Sequence, residues 1–600
     1  MTAPVRLQHG RAPLGITEVT LTPGSYLGDL QDLNASATLP HAIGKLDESG
    51  VIANLASPGG EAHRGFGFSD SDLYKTLEAV GWEIARTGTT AFDGFLDSSY
   101  RLLRAAQQPD GYLNSWGLSA DSPGRWVDLQ WGHELYSAGH LIQAAVALNR
   151  AGRGELMAIA RPVADLIVRR FAHEGTCGHP EIETALVELY RETGEPGYLT
   201  SAKGFVERRG NPVQHTKPFG PAYFQDHAPV RDAEDATGHA VRQLYLDAGC
   251  VDVAVETGDA DLLAAVQRRW DSAHRRRMFI TGGMGSHFQD ESFGDDHELA
   301  SERSYAETCA AIADLHLSWR LLLATGEARY GQAMERVLYN AIPAAVSEDG
   351  TSFTYANPLQ VRTGGRVVEY NSGRQPWFSC ACCPPNVARL RASLAAYLAF
   401  ADDEGLAIAL PAAATLELPP QVGTGRVVIT GDLEAGSLTV TPEADFLPGM
   451  GLRIRVPEWA TSPQVDGAPA PVENGWLSLD TAARSTVTLD VTPTAMVADA
   501  RVDAVRGSVA VQAGPTVLCA EAHDNREVDA LAIDPNRPLT GDPTGATGSG
   551  AVLATGEALY RRFGEPAGDP EATPVTLIPY REWGRRGRVA MRVWLPTVDL

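Results

Sequence analysis

A chain of 600 residues is too long for one hydrophobic core, so a large domain with one or two smaller ones is expected. Its 75 acidic against 50 basic side chains leave a formal net charge of -25, which repels phosphate backbones and anionic lipid and makes nucleic acid and membrane surfaces poor candidate partners. With 44% hydrophobic residues the composition is that of a globular protein, and no run of about 18 apolar residues reads as a membrane span.

The opening stretch "MTAPVRLQHGRAPLG" has no apolar core of a secretory leader. The seven cysteines are odd in number and clustered, unlike a secreted disulfide framework, so a cytoplasmic protein with reduced thiols is expected. From "DLYKTLEAVGWEIART" through "HELYSAGHLIQAAVALNRAG", "PEIETALVELYRETG" and "HAVRQLYLDAGCVDVAVETG" to "NVARLRASLAAYLAFA", apolar residues recur at i, i+3, i+4 and i+7. Several of these segments end in Gly, as helices commonly do. Consecutive amphipathic hairpins over residues 1–400 predict a helical solenoid closed into a ring, an (α/α) barrel. After residue 400 the pattern changes to short alternating runs such as "GRVVITGDL", "GLRIRVPEWA" and "GRVAMRVWLP", read as antiparallel β-sandwich domains over 401–505 and 506–600. Residues 534–556, rich in Gly and Pro, read as a long loop between strands.

Three constellations carry chemistry. The first is "WFSCACCPPNVARL", with Cys380, Cys382 and Cys383 in four positions and Cys309 lying 73 residues before Cys382. Thiolates suit zinc and a carboxylate is an acceptable fourth donor, so Glu307 with these sulfurs forms a candidate metal set. "SYAE" also has the form of a capping box, with Ser304 as N-cap and Glu307 three residues on. In a regular helix Glu307 and Cys309 point apart, so both reach one ion only through an irregular turn. The two prolines are expected to hold the cysteines out of helix, with Asn386 as the N-cap that follows.

The second constellation is the acidic loop after a Gly-rich turn, with Glu291, Asp295, Asp296, Glu298 and Glu302 as candidates. The third is a set of histidines in or near helix starts: His133, His140, His179, His227 and His239. Helix starts gather at the rims of a closed ring, where a cleft lies. Tyr112, Trp116, Trp126, Trp131 and Tyr355 supply aromatics of the kind that stack on sugar rings.

The segments "ITGGMGS…DESFGDD…YAETCA", "FTYANPL", "WFSCACCPPNVARL", "GHPEIETALVELY" and "PVRDAEDATGHAVR" together resemble glycoside hydrolase family 127, the β-L-arabinofuranosidase family. The resemblance runs from about residue 20 to the end and implies a catalytic (α/α)6 barrel followed by β-sandwich domains. It implies a zinc-dependent retaining exo-glycosidase acting on an oligosaccharide or glycoside, with Cys382 as nucleophile and Glu291 as general acid/base. Glu307, Cys309 and Cys383 match zinc ligands, with Cys382 within the same sphere. His179, His239 and Tyr355 match sugar-contacting positions, and either His133 or His140 takes the remaining one. Cys380 matches a position without a ligand role. For the first step burial is expected to hold Glu291 protonated near neutrality. The connection "QVRTGGRVVEYNSGRQP" is shorter than that of the arabinofuranosidases and leaves the exact sugar open, other unusual pectin-type sugars included.

Two other readings stand beside this one. An epimerase or lyase on the same helical architecture would use the histidines and Tyr355, but gives the cysteine cluster no role. A carbohydrate-binding protein would use the zinc only to tie two segments together. The sandwiches leave a homodimer face open.

Overall fold

Helical periodicity becomes a succession of paired helices in the computed structural model, which describes every residue except 1, 8–9, 60–62, 212–217, 366–372, 557–558, 563–564, 566–567 and 600. In chain order the main helices are α1 (Leu39–Glu48), α2 (Asp70–Thr87), α3 (Asp93–Ala106), α4 (Glu134–Arg150), α5 (Met157–Arg170) and α6 (Ile182–Thr193). They continue as α7 (Pro196–Arg208), α8 (Ala240–Thr257), α9 (Ala260–Arg276), α10 (Thr308–Thr325), α11 (Ala328–Arg336) and α12 (Cys383–Ala392).

The two members of each pair differ in burial. Every residue of α2 from Asp70 to Ile84 is buried, whereas α9 buries a stripe of Leu262, Ala265, Val266, Arg269 and Trp270 and leaves its polar face to solvent. The buried helices contact one another in sequence: α2 with α4, α4 with α6, α6 with α8, α8 with α10, α10 with α12, and α12 with α2 again. Gly139 marks a close approach of α4 to the start of α6, where a Cβ would stand 3.1 Å from the Ile182 backbone nitrogen. Charge ties the same ring together. Arg191 of α6 holds Glu188 at 2.6 Å and reaches Asp252 and Glu256 of α8 at 2.9 and 2.7 Å, and Arg320 of α10 reaches Asp252 at 2.8 Å.

Beyond α12 the chain becomes sheet, as the change in hydrophobic period requires. A five-stranded sheet combines residues 12–13 with 399–402, 405–408, 451–455 and 476–479, and a seven-stranded sheet takes residues 19–21 onto the edge strand 414–417. The first strands of the chain therefore complete sheets made by residues about 390 positions later. Strand pairing in these two sheets is antiparallel except between Gly405–Ile408 and Gly451–Arg455, which run parallel. In the C-terminal part, strands 494–496, 508–513, 516–521, 571–579, 545–552 and 531–533 follow one another in a further sheet. Its strand Met591–Arg592 pairs with Gln360–Val361, binding this sheet to the loop that precedes the cysteine cluster.

The stretch 534–556 is a hairpin and not a long loop: Thr540–Asp542 pairs with Gly545–Val552. Its glycines serve strand packing. At Gly550 a Cβ would fall 2.2 Å from the Ala532 carbonyl oxygen of the neighbouring strand. Among the described residues no helix is long and apolar enough to cross a membrane.

Candidate active site

Backbone irregularity concentrates where the candidate side chains meet. His133, Glu291 and Ala306 all have positive φ (57°, 57° and 40°) without being glycine, a conformation that costs about 1–3 kcal/mol each. The Gly-rich turn at 281–286 lets the chain pass close to Ala306: a Cβ on Gly283 would lie 2.7 Å from Ala306 Cβ. The turn at Ala306 leaves Glu307 extended, as the N-cap residue of α10, with its N–H donated to Met284 O and the Thr308 N–H to Tyr355 O. The expected capping box is therefore absent. Ser304 Oγ instead donates to Ser301 O and accepts the Leu359 N–H. Because Glu307 stands outside the helix and Cys309 inside it, the two side chains face one point.

The cysteine segment also differs from expectation. Helix α12 begins at Cys383, with Cys382 as N-cap in helical backbone and the prolines in the first turn. Proline is tolerated there because a first-turn N–H has no intrahelical partner to lose. Asn386 is not a cap; it lies within the first turn and accepts a hydrogen bond from Arg389. The prolines thus start a helix whose N-terminus, the positive end of its dipole, lies at the Cys382 and Cys383 sulfurs.

Three sulfurs and one carboxylate converge. Cys309 Sγ stands 3.3 Å from Cys383 Sγ and 3.6 Å from Cys382 Sγ, and Glu307 Oε1 is 3.8 and 3.9 Å from the Cys382 and Cys383 sulfurs. The other oxygen of Glu307 is buried without a hydrogen-bond partner. An orphaned buried carboxylate oxygen beside three thiols is what a cation would satisfy, and three sulfurs with one oxygen suit zinc. Burial, with Cys382, Glu291 and Cys380 around it, pushes the Glu307 carboxyl well above the usual carboxylate range.

This cluster forms one wall of a cavity of about 440 Å³. His133, His179, His239, Tyr355, Glu291, Glu307, Cys309, Cys380 and Cys382 all line it, while Cys383 lies buried behind the wall. Of the two histidines in "HELYSAGH", His133 faces the cavity; His140 is buried on α4, with Nδ1 3.3 Å from Glu181. Tyr355 Oη lies 3.1 Å from Cys382 Sγ and 3.5 Å from Cys380 Sγ, so Cys380 touches the tyrosine but is outside the four-donor group.

Glu291 faces the cluster from the acidic loop. Its carbonyl accepts the Ala240 N–H, and its Oε2 lies 2.9 Å from His239 Nε2. His239 caps α8 by accepting the Arg242 N–H at Nδ1, so its proton resides on Nε2 and is donated to Glu291. Burial raises the Glu291 carboxyl, but the hydrogen bond from His239 outweighs it and holds the group below the usual glutamate value. The expectation that burial keeps Glu291 protonated therefore fails on this hydrogen bond. Burial also pushes His133 down to about 3 and His179 well below its ordinary value, so neutral imidazoles border the cavity.

The other acidic candidates are engaged elsewhere: Asp296 with Arg277, Glu298 with His287, and Glu302 with Arg362, while Asp295 donates its N–H to Glu298. Of the aromatics singled out, Trp131 and Tyr355 line the cavity and Tyr112, Trp116 and Trp126 do not; His227 is also absent from it. The short connection falls partly on residues 366–372, outside the described residues.

The catalytic-domain model of glycoside hydrolase family 127, described as Beta-L-arabinofuranosidase, matches residues 18–396, and the family's C-terminal domain matches residues 493–596. This chain belongs to glycoside hydrolase family 127. It is accordingly a glycoside hydrolase. The family 127 chain is 33% identical to a non-reducing end beta-L-arabinofuranosidase of Bifidobacterium longum subsp. longum, over 91% of this chain and 92% of that protein. It also resembles the crystal structure of a family 127 beta-L-arabinofuranosidase from Geobacillus stearothermophilus T6, with TM-score 0.88 and 30% identity over 97% of this chain and all of that one. A second family 127 beta-arabinofuranosidase structure gives TM-score 0.87 at 30% identity, covering this chain fully and 98% of its own.

Several residues lining the cavity of this family 127 hydrolase were not singled out from sequence: Phe66, Phe68, Tyr136, Tyr223, Arg242 and Tyr245. A signal for two of them exists. His239, Arg242 and Tyr245 recur every three residues at the start of α8, a helix otherwise buried and apolar, which marks the face turned to the cavity. Arg242 packs under Trp131, Tyr223 and Phe224 and donates to Gly178 O, fixing the backbone that carries His179.

Proposed function

We propose that this chain is a zinc-dependent, retaining exo-glycosidase that releases terminal β-L-arabinofuranose. The observation that carries the reading is the double position of Cys382, whose sulfur belongs to the four-donor cluster and also faces the cavity that Glu291 lines. The named activities of the relatives above support the sugar, and the cavity of about 440 Å³ suits one sugar ring and part of its neighbour.

Glu307, Cys309, Cys382 and Cys383 would hold the ion. When bound, zinc keeps its thiol ligands deprotonated and supplies a fixed divalent charge beside the reacting centre. His133 and His179, neutral at working pH, hydrogen-bond the sugar hydroxyls, His239 borders the sugar with its ring nitrogens engaged by Glu291 and the Arg242 N–H, and Tyr355 directs the Cys382 sulfur through its 3.1 Å contact. Cys382 attacks the anomeric carbon, and a C–S bond forms as the C–O bond to the leaving group breaks. Glu291, in its protonated fraction, gives its proton to the departing oxygen. In the second half Glu291 takes a proton from water, the oxygen of that water attacks the anomeric carbon, and the C–S bond breaks to return the thiolate. Two displacements on one carbon retain configuration.

The ring of contacts among α2, α4, α6, α8, α10 and α12 supports an (α/α)6 barrel as the catalytic domain over residues 1–400. We take 401–505 and 506–600 as the two sheet domains behind it, with residues 12–21 lent to the first and strand 494–496 to the second. The test is incubation with an aryl β-L-arabinofuranoside. The expected result is turnover with retained configuration, and a pentosyl adduct on the Cys382 peptide in rapidly quenched samples. Unimpaired turnover by Cys382→Ser would overturn the mechanism.

A further inference from the structure

The chain has only four lysines, and one of them, Lys75, is buried in the middle of α2. A buried ammonium is ordinarily paired with a carboxylate, because an unpaired charge away from water is costly. Lys75 Nζ instead donates to the Tyr136 hydroxyl at 2.7 Å, and among the described residues no carboxylate oxygen lies within 4.0 Å of it. Asp72, one turn earlier, is also buried and has an oxygen without a hydrogen-bond partner, so the two do not satisfy each other. Tyr136 lines the same cavity as Cys309, Cys382 and Glu307, with its ring 4.4 Å from His179 and 4.6 Å from His140. The ammonium therefore lies directly behind a residue of the cavity wall, on the helix that α12 packs against.

The charge of the cluster changes on metal binding. Four anionic donors around one divalent cation leave a surplus of two negative charges, whereas the metal-free donors take up protons. A fixed positive charge behind the wall thus favours the loaded state. Burial lowers the Lys75 pKa, but Tyr245, Asp72, Cys382 and Cys309 raise it by more, so the ammonium persists.

We propose that Lys75, held by Tyr136, is the counter-charge of the metal-loaded cluster: a positioning residue that stabilises bound zinc without touching it. The inference rests on the metal reading above. Zinc affinity is measured by competition with a chromophoric chelator, and melting temperature is measured for the metal-free and zinc-loaded chain. Lys75→Met and Lys75→Gln, the second keeping a hydrogen bond to Tyr136, should weaken zinc binding at least tenfold. Neither should lower the metal-free melting temperature, because each removes an unpaired buried charge. The rise in melting temperature on adding zinc should shrink in both, and Lys75→Arg should restore it. Unchanged zinc affinity in the two neutral variants would overturn the proposal while leaving the metal reading intact. Equal loss of stability with and without zinc, or loss of the metal-free fold in both variants, would assign Lys75 a packing role and overturn it as well. Absence of zinc binding by the unaltered chain would remove the metal reading and this inference together.

Discussion

His239 Nε2 donates to Glu291 Oε2 at 2.9 Å while His239 Nδ1 accepts from the first turn of α8, so one imidazole fixes both a helix start and the protonation preference of a carboxyl group. The consequence is a pH dependence with a definite sign. Glu291 sits below its ordinary value, so the proton it must give a leaving group is lost as pH rises through that lowered value. For glycosides with poor alkyl leaving groups, kcat/KM should fall with rising pH, and activated aryl glycosides should show little of this fall. In His239→Asn the hydrogen bond is gone and burial dominates, so the falling limb should move to higher pH by about one pH unit, together with a loss of rate. Paired pH profiles of the two substrates check it.

The three clustered cysteines should separate by experiment. Cys382→Ser should lower kcat about 10³-fold or more, as removal of a nucleophile does. Cys309→Ser and Cys383→Ser should lose the metal, measured by elemental analysis on the purified chain. Cys380→Ser should keep both metal and most activity, because Cys380 lies outside the four-donor group and meets the Tyr355 hydroxyl at 3.5 Å.

Metal removal should act on stability as well as rate. If the proposed zinc is removed, Glu307 stays buried beside three thiols with an unsatisfied oxygen. Chelation should therefore lower the melting temperature and abolish turnover, and added Zn2+ should restore both. Retained activity after complete removal, verified by elemental analysis, would contradict the site.

Arg191 tests the ring itself. Arg191→Met leaves Glu256 without its cation and removes one of two from Asp252 and Glu188, which keep Arg320 and Arg150, and should cost about 3–5 kcal/mol by urea denaturation. Its guanidinium is remote from the cavity lining, so KM of the folded fraction should not change.

The helices were legible because each carries its own apolar period, and the switch at residue 400 was legible for the same reason. The chemistry-bearing side chains were legible by residue type: Cys309, Cys382, Cys383, Glu307, Glu291, His179, His239 and Tyr355 meet around one cavity wall. What local patterns could not give were helix ends, since "SYAE" and "CPPN" each fit a cap that long-range contacts override. The protonation of Glu291 was misjudged because burial is readable from sequence context, while a histidine 52 residues away is not. Phe66 and Phe68 were missed because they lie outside any periodic segment. The strand partners of residues 12–21 were missed because those runs are too short to carry a pattern.

Those same short strands set a schedule for synthesis. Ala12 pairs with Ala401 and Val19 with Leu416, so this segment must wait for residues made about 390 positions later before it has a partner. At about 5–20 residues per second on a ribosome, that interval is roughly 20 to 80 s. During it the helical ring can form from its near neighbours while the N-terminal residues stay unpaired. Completion of the first sheets is thus a late, long-range closure, slower than the local contacts that build the helices. Exposed strand edges in that interval are open to pairing with another nascent chain.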